Sequence, residues 1–495
     1  MLFVLGHREP YNGIGRVILT HWFTRPPPPS MTHRTKPSSS RGDHNEAKTS
    51  ELLQYNSSTP GGNGHLKRPS NQKDAALTDS TKIYKISSIK KENTKHMTGE
   101  ENPMTINSQW TYQGLEDAYH KAQNLNYIKD PWGTRLIRWG YKHMGKPFIF
   151  RMEPDKAHSF TVNTCNKLSR ITPFMALLHD VTNNADVSLN KTVMGLHYKN
   201  PYGLAAGLDK DAQIITILDA AGFGFTSYGS MTIRPCNGNP RPWFHRYPDY
   251  KSMGIHAGIP NQGAETVLAA ADAAPSPYGV IRHASVAFTN TSYPDGVDGM
   301  IHDFTEGVKA VMGSKADVCE INISCPNLQA GKPFKDPKMV EALFQSIEEN
   351  AQHLKPILVK MPNATVDVID SITEVLAGHD VQGLALCNLQ EDKSEWPEAS
   401  GELGGLSGAP CNKNAVEAVR FVRGKYGNRF AIEGVGGVMD RDDAMRMQDA
   451  GADLVGFVST LMFNGPQMAS EFKTAYRGAL QALDDETWSS TSVDA

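Results

Sequence analysis

The sequence predicts an α/β protein whose main domain is a (β/α)8 barrel. From Asn200 onward, short β-forming runs alternate with helix-forming runs, and eight such strands can be counted. Alternation of this kind argues for parallel strands, and eight units argue for closure. The third observation is Cys319-Glu-Ile-Asn-Ile-Ser-Cys-Pro-Asn327, an apolar strand that runs into a polar loop carrying a thiol between two amides. Val318, Ile321 and Ile323 favour a strand, whereas Ser324, Cys325, Pro326 and Asn327 cannot continue one. Cys325 is therefore expected just past a strand's C-terminal end, on the face where barrel enzymes carry their chemistry. A doubly wound open sheet is the alternative, but no GxGxxG follows the first strand.

Taken in order, residues 1–109 read as a disordered extension. Between positions 31 and 100 basic residues outnumber acidic ones 12 to 7, with Ser38-Ser-Ser40, Gly61-Gly-Asn-Gly64 and little apolar periodicity. This is either an organelle-targeting region or an unstructured extension ahead of a start at Met97 or Met104. Leu2 to Leu5 is too short for a secretion-signal core. Residues 110–182 turn helical, with Leu136, Ile137, Trp139, Tyr141 and Met144 among Arg135, Arg138, Lys142, His143 and Lys146. Such a basic, aromatic-rich helix either lies in a membrane interface or packs its apolar face on the main domain.

The barrel is expected over residues 183–483, followed by a short acidic tail over 484–495. Its strands are Tyr202–Ala206, Phe225–Tyr228, Ser285–Thr289, Val318–Ile323, Ile357–Met361, Leu384–Cys387, Phe430–Glu433 and Leu454–Val458. The 229–284 unit is expected to hold a hairpin and a helix. No run of 18 apolar residues is present, and a net charge of -3 gives no general argument for nucleic acid. The six cysteines show neither CxxC pairs nor a secreted framework, so reduced thiols and no metal are expected.

Polar residues at the predicted strand ends form one constellation: Lys210, Asn290, Asn322, Cys325, Asn327, Lys360 and Asn388, with glycine turns at Gly404-Gly405 and Gly436-Gly437. Asn side chains pair a donor with an acceptor, which suits a flat heterocycle with carbonyl and imide edges. Gly434-Val-Gly-Gly437, and Val458-Ser-Thr460 after the last strand, fit the phosphate site that barrels commonly build there. Lys360 is a cation in a strand otherwise buried on both faces, which costs several kcal/mol unless it is paired. Glu433 is a second such charge, and either pairs with Lys360 or bonds locally.

These motifs resemble the FMN-dependent dihydroorotate dehydrogenases of pyrimidine biosynthesis, from roughly Arg151 to Phe472. Phe150-Arg-Met-Glu-Pro-Asp-Lys-Ala-His158 is similar to the helical prelude of the membrane-associated, quinone-using class. So are Asn200-Pro-Tyr-Gly-Leu-Ala-Ala-Gly-Leu-Asp-Lys210, Gly238-Asn-Pro-Arg-Pro242 and Gly404-Gly-Leu-Ser-Gly408. The catalytic loop resembles the soluble class instead, because Cys325 stands where the quinone-using enzymes usually carry a serine base. The resemblance implies FMN held by Ala206, Gly207, Lys210, Ser230, Asn290, Asn322, Lys360, Gly408, Gly436, Gly437, Val458 and Ser459. It implies substrate contacts from Lys210, Asn261, Asn322, Asn327 and Asn388, with Cys325 as the base.

On that resemblance dihydroorotate lies flat on the flavin, Cys325 takes the C5 proton, and hydride leaves C6, giving orotate. An ordinary thiol titrates near about 8.5, so activity is expected to rise with pH. The implied acceptor is a quinone, with fumarate or a nicotinamide as the alternative. The implied location is the membrane surface, mitochondrial inner or bacterial plasma, with the cytoplasm as the alternative. The sequence departs from the family pattern in the insertion within Lys251-Ser-Met-Gly-Ile-His-Ala-Gly-Ile-Pro-Asn261, in Ala287 for a strand Asn, in Leu389 for a hydroxyl and in Val458 for an aromatic. Two rival readings follow from these departures: a flavin barrel for another dihydropyrimidine or cyclic imide, and an FMN-binding protein that has lost its reaction.

Overall fold

The computed structural model describes residues 114–182, 186–328, 331, 333–352 and 354–491, with side chains described to Asp485. The expected extension over 1–109 and the first residues of the helical segment lie outside the described residues.

A hairpin of β1 (Lys191–Val193) and β2 (Leu196–Tyr198) precedes β3 (Tyr202–Leu204) and β4 (Phe225–Met231). Next, β5 (Phe244–Tyr247) and β6 (Ser252–Ile255) leave the barrel as an antiparallel pair. The barrel resumes with β7 (Ile281–Val286), β8 (Val318–Asn322), β9 (Ile357–Lys360) and β10 (Gly383–Leu386). The short β11 (Gly405–Leu406) joins β6, and β12 (Ala431–Val435) and β13 (Leu454–Phe457) complete the circuit. Eight parallel strands close in the order β3-β4-β7-β8-β9-β10-β12-β13.

Helices follow the apolar spacing that predicted them. Along Gly296–Met312, residues Met300, Phe304, Val308 and Val311 are buried, one stripe at helical spacing. Asp336 caps Pro337–Asn350 by accepting from the Lys338 amide. The third barrel strand lies four residues earlier than its expected start at Ser285. The physical reason is Asp303, whose carboxylate takes the Thr289 amide at 2.7 Å and the Thr289 hydroxyl at 2.8 Å and draws that segment out of the ladder.

Side-chain alternation sorts each barrel strand. On β8, Cys319 and Ile321 join the helix-facing core, while Val318, Glu320 and Asn322 face the barrel axis. Small residues make room inside. A Cβ on Gly203 would lie 2.4 Å from the Phe225 ring, and one on Gly456 would lie 2.5 Å from Glu433 Oε1.

The prelude resolves into helices Leu115–Asn124, Trp132–Gly140, Lys146–Phe150, Pro154–Ser169 and Thr172–Thr182, with a π-turn at Tyr141–Gly145. One of its basic residues faces inward: Arg138 bonds Asp130 and Glu471, and Arg441 reaches the same two acids, while Arg135, Lys142 and His143 are exposed. Its aromatic face points out, with Leu136 and Trp139 each 57% exposed and Trp132 63%. Ile137 and Tyr141 are half-buried, and the Tyr141 hydroxyl donates to the Met462 carbonyl, so the segment touches the barrel through these two while Leu136 and Trp139 stay exposed. The acidic tail expected from residue 484 is also corrected, because the last helix runs Met468–Thr491 and Asp485 accepts the Tyr127 hydroxyl at 2.6 Å.

Candidate active site

The C-terminal ends of β3 and β9 bring two ammonium groups to one turn. Lys210 Nζ donates to the Gly207 carbonyl at 2.9 Å, and Lys360 Nζ to the Ala206 carbonyl at 3.5 Å. A Cβ placed on Gly207 would meet no atom within 4 Å, so the turn borders open space. Across the mouth, Gly408 has φ 73° and Gly437 φ 69°. Added Cβ atoms would lie 2.2 Å from the Lys251 carbonyl oxygen and 2.5 Å from the Asn412 nitrogen, so only glycine allows both turns. Between them Ser407 Oγ lies 2.9 Å from Ser459 Oγ. A flat ring fits beside Gly207 with the two ammonium groups, and a phosphate suits the glycine turns and hydroxyls.

Between these ends lies the amide array. Asn322 Nδ2 donates to Ser230 Oγ at 2.7 Å, and Asn322 Oδ1 accepts from the Ser324 amide at 3.1 Å and hydroxyl at 2.8 Å. Asn388 Nδ2 donates to Ser324 Oγ at 2.7 Å. Asn327 Nδ2 donates to the Ile255 carbonyl at 2.9 Å, which ties the loop to β6. Cys325 is half-buried in the loop between Asn322 and Asn327. Burial pushes the Lys210 ammonium down to about 8, opposed by the Cys325 and Asp211 charges. Burial, aided by Lys210, pushes His158 down to about 4, so this ring is neutral and Nε2–H donates to the Leu208 carbonyl at 3.0 Å.

Beneath the amides, His283, Glu320 and Glu433 bring donor atoms within 4.8 Å of one another, all fully buried. His283 Nδ1 lies 3.4 Å from Glu433 Oε2, and Nε2 lies 3.0 Å from the Tyr198 hydroxyl. Burial raises the Glu433 carboxyl, opposed first by the contact with His283 and more weakly by Lys360. The local alternative for Glu433 thus describes its contacts.

The sequence profile of the dihydroorotate dehydrogenase family matches residues 188–478. The chain belongs to the dihydroorotate dehydrogenase family. Its similarity to proteins named dihydroorotate dehydrogenase (quinone) is 31% identity in Chloroflexus aurantiacus, over 68% of this chain and 95% of the relative. In Salinispora arenicola it is 32%, over 68% and 99%. A crystal structure of the Eimeria tenella dihydroorotate dehydrogenase with ferulenol superposes with a TM-score of 0.58 at 21% identity, covering 68% of this chain and 95% of that one, and shares the fold. The family consists of flavin-dependent oxidoreductases, and the open turn, paired ammonium groups and glycine cradle described above fit such a cofactor.

Set against the family, most expected residues converge on the barrel mouth, and two do not reach it with free amides. Asn261, expected on the substrate, spends Nδ2 on Thr232 Oγ1 and the Ile259 carbonyl, and Oδ1 on the Thr232 and Gly263 amides. It anchors its loop. Asn290, expected on the flavin, donates instead to Asn239 Oδ1 at 3.0 Å and the Gly258 carbonyl at 3.1 Å. The inserted loop supplies one acceptor to each, the Ile259 carbonyl to Asn261 and the Gly258 carbonyl to Asn290, and Thr232 and Asn239 supply the others. Sequence reasoning missed Ser324, which joins the two amides. It also missed Arg246, stacked 4.4 Å over Phe150 in an apolar cluster with Phe244, Met253 and Phe463. Arg246 Nε and Nη2 are buried there without a hydrogen-bond partner among the described residues. The visible signal was a charge in the strand Phe244-His-Arg-Tyr247.

Proposed function

We propose that this dihydroorotate dehydrogenase family member oxidises dihydroorotate to orotate on FMN and passes the electrons to a quinone at a membrane surface. The observation that carries the reading is Cys325 in the loop between Asn322 and Asn327, within electrostatic reach of the Lys210 ammonium. Bound FMN supplies the acceptor for the hydride from C6. Cys325 Sγ takes the C5 proton, so a C5–C6 double bond forms, while Lys210 holds the carboxylate and the Asn322 and Asn388 amides hold the ring edge. Ala206, Gly207 and Lys360 would hold the flavin ring, and Gly408, Gly436, Gly437 and Ser459 would hold its phosphate. Anaerobic mixing of the yellow protein with dihydroorotate tests this. Rapid bleaching is expected; a stable yellow colour, with bleaching by another dihydropyrimidine or by none, would select one of the rival readings.

The quinone rests on the apolar cluster between the prelude and the barrel. Arg246 offers two buried, unpartnered donor atoms among Phe150, Phe244 and Phe463, which suits a carbonyl on an apolar ring. Adding quinone, fumarate or NAD to the bleached protein reads the acceptor directly, and reoxidation by fumarate or NAD alone would displace the quinone. Fumarate is the second reading because Cys325 resembles the soluble class.

No helix among the described residues is long and apolar enough to cross a membrane. The proposed attachment is peripheral, through exposed Trp132, Leu136, Trp139, Met144 and Phe148 with Arg135 and Lys142 beside them. Each buried apolar side chain contributes roughly 1.5–3 kcal/mol, so Leu136→Glu with Trp139→Glu is expected to weaken binding to anionic vesicles by about 10²-fold. Bleaching by dihydroorotate should stay unchanged. Full vesicle binding by the double variant would remove this face from the proposal.

The lowered Lys210 gives a pH dependence with a defined sign. Below about 8 the ammonium is charged and holds the carboxylate; above it, binding must take up a proton. Orotate affinity is expected to fall by about tenfold per pH unit above that point. Titrating flavin absorbance with orotate from acid to alkaline pH checks this, and a flat profile would show that Lys210 stays charged.

A further inference from the structure

We propose that the cavity between the helical prelude and the barrel binds a phosphate group on the ammonium groups of Lys142, Lys146 and Lys251, and that an anionic lipid headgroup supplies it. The inference rests on the peripheral attachment proposed above for the source of the phosphate, and on the cavity itself for the site.

The cavity holds about 460 Å3 and is lined by Tyr141, Lys142, Lys146, Lys251 and Phe463 among others. The π-turn Tyr141–Gly145 runs straight into the helix Lys146–Phe150 and brings Lys142 and Lys146 to the same opening. Two bonds fasten this segment to the barrel: the Tyr141 hydroxyl donates to the Met462 carbonyl, and Lys146 Nζ donates to the Phe463 carbonyl at 2.8 Å. Lys251 arrives from the turn between β5 and β6 with φ 46°, in the left-handed region where a side chain is disfavoured. Glycine or asparagine would hold that turn at less cost.

The charges around the cavity do not balance. Its acids are already engaged: Glu471 by Arg138 and Arg441, Asp440 by the Asp443 amide at 3.1 Å, and Asp442 by His120 Nδ1 at 3.9 Å. Asp130 takes the remaining bonds of both arginines. Lys142, Lys146 and Lys251 make no ion pair among the described residues. Burial, followed by the Lys251 and Lys142 charges, pushes the Lys146 ammonium below its usual range, so three like charges converge with no counter-ion. Lys146 spends one N–H on Phe463 and keeps two. A phosphate offers oxygens in several directions to such point charges, whereas a carboxylate offers two in one plane. Trp139, Met144 and Phe148, in the same stretch of chain, are exposed. Seated in a membrane interface, they would hold Lys142 and Lys146 at the depth of the headgroups.

The test uses FMN-loaded protein, so that the flavin's phosphate site is filled, and phosphatidylcholine vesicles carrying either phosphatidic acid or oleate at equal surface charge. Wild type is expected to bind the phosphatidic acid vesicles about tenfold more tightly, because only they present phosphate. Lys142→Gln with Lys251→Gln, two exposed positions, should abolish that preference, and so should Lys146→Met. Lys129→Gln with Arg135→Gln removes two exposed charges of the prelude outside the cavity. It should weaken binding to both vesicles alike, by roughly fivefold per charge, and keep the preference. A wild type without preference, or a preference that survives in the Lys142/Lys251 variant, would overturn the lipid source. Inorganic phosphate, compared with chloride at equal ionic strength, reads the free ion. A melting temperature that rises in wild type and not in the Lys142/Lys251 variant sustains the phosphate site; with no vesicle preference it assigns the site to phosphate from solution. Neither a rise nor a preference overturns the site altogether. If wild type binds neither vesicle, the membrane attachment fails, and inorganic phosphate alone decides the cavity.

Discussion

Cys325→Ala is expected to keep its flavin and to lose about 10²–10⁴ of the rate at which dihydroorotate bleaches it, the usual cost of removing a positioned base. Asn322, Ser324 and Asn388 are held to one another and to Ser230 by their own side chains, so these bonds are expected to survive truncation. Ligand binding should survive for the same reason, with the loss appearing in kcat and little in KM. Lys210 is the other group near enough to compete for the proton, being lowered to about 8. The two separate by pH. A thiolate base makes the wild-type rate rise toward an ordinary thiol value of about 8.5, while loss of the Lys210 charge weakens binding on the alkaline side. Cys325→Ser should move the rising limb to higher pH, because a hydroxyl ionises less readily than a thiol. Bleaching within a few-fold of wild type in Cys325→Ala would return the base role to Lys210.

The barrel was legible because its strands are short, apolar and separated by helical stripes, a pattern that needs no partner to be recognised. Cys325 and Lys360 were legible for a related reason: a polar group at a strand end, or a charge in an apolar strand, is conspicuous locally. By that same signal Glu320, in Val318-Cys-Glu-Ile-Asn322, could have been found beside Glu433. What the chain hid were the long-range pairings. Nothing near Arg138 announces that Glu471, 333 residues later, turns it inward while Leu136 and Trp139 stay in solvent. Nothing near Asn261 announces that Thr232, 29 residues earlier, takes both its Nδ2 and, through its backbone amide, its Oδ1. A motif gives a residue's type and rough place; the neighbours that exhaust its hydrogen bonds come from elsewhere in the fold.

Lys360→Met should lower the bleaching rate by about 10²–10³, the loss typical when one preorganised donor is taken from a site of developing negative charge. The geometry makes Lys360 such a donor. It pairs in register with Asn322 across β8 and β9, so it stands at the level of the amides, and it is 5% exposed. Among the described residues its hydrogen bond is a long one, 3.5 Å to the Ala206 carbonyl at the edge of the open turn. A buried cation so weakly held costs stability in the ligand-free protein. Methionine keeps the length and removes that cost, so thermal stability should hold or rise. The midpoint potential of the bound flavin should fall, because the reduced ring loses the cation that favours its negative charge. A salt-bridge role alone predicts a different result on both readouts: Glu433 loses a counter-charge, stability drops, and the potential stays where it was. Potential and melting temperature measured together on this one variant therefore separate a cation placed for the reaction from one retained for the fold.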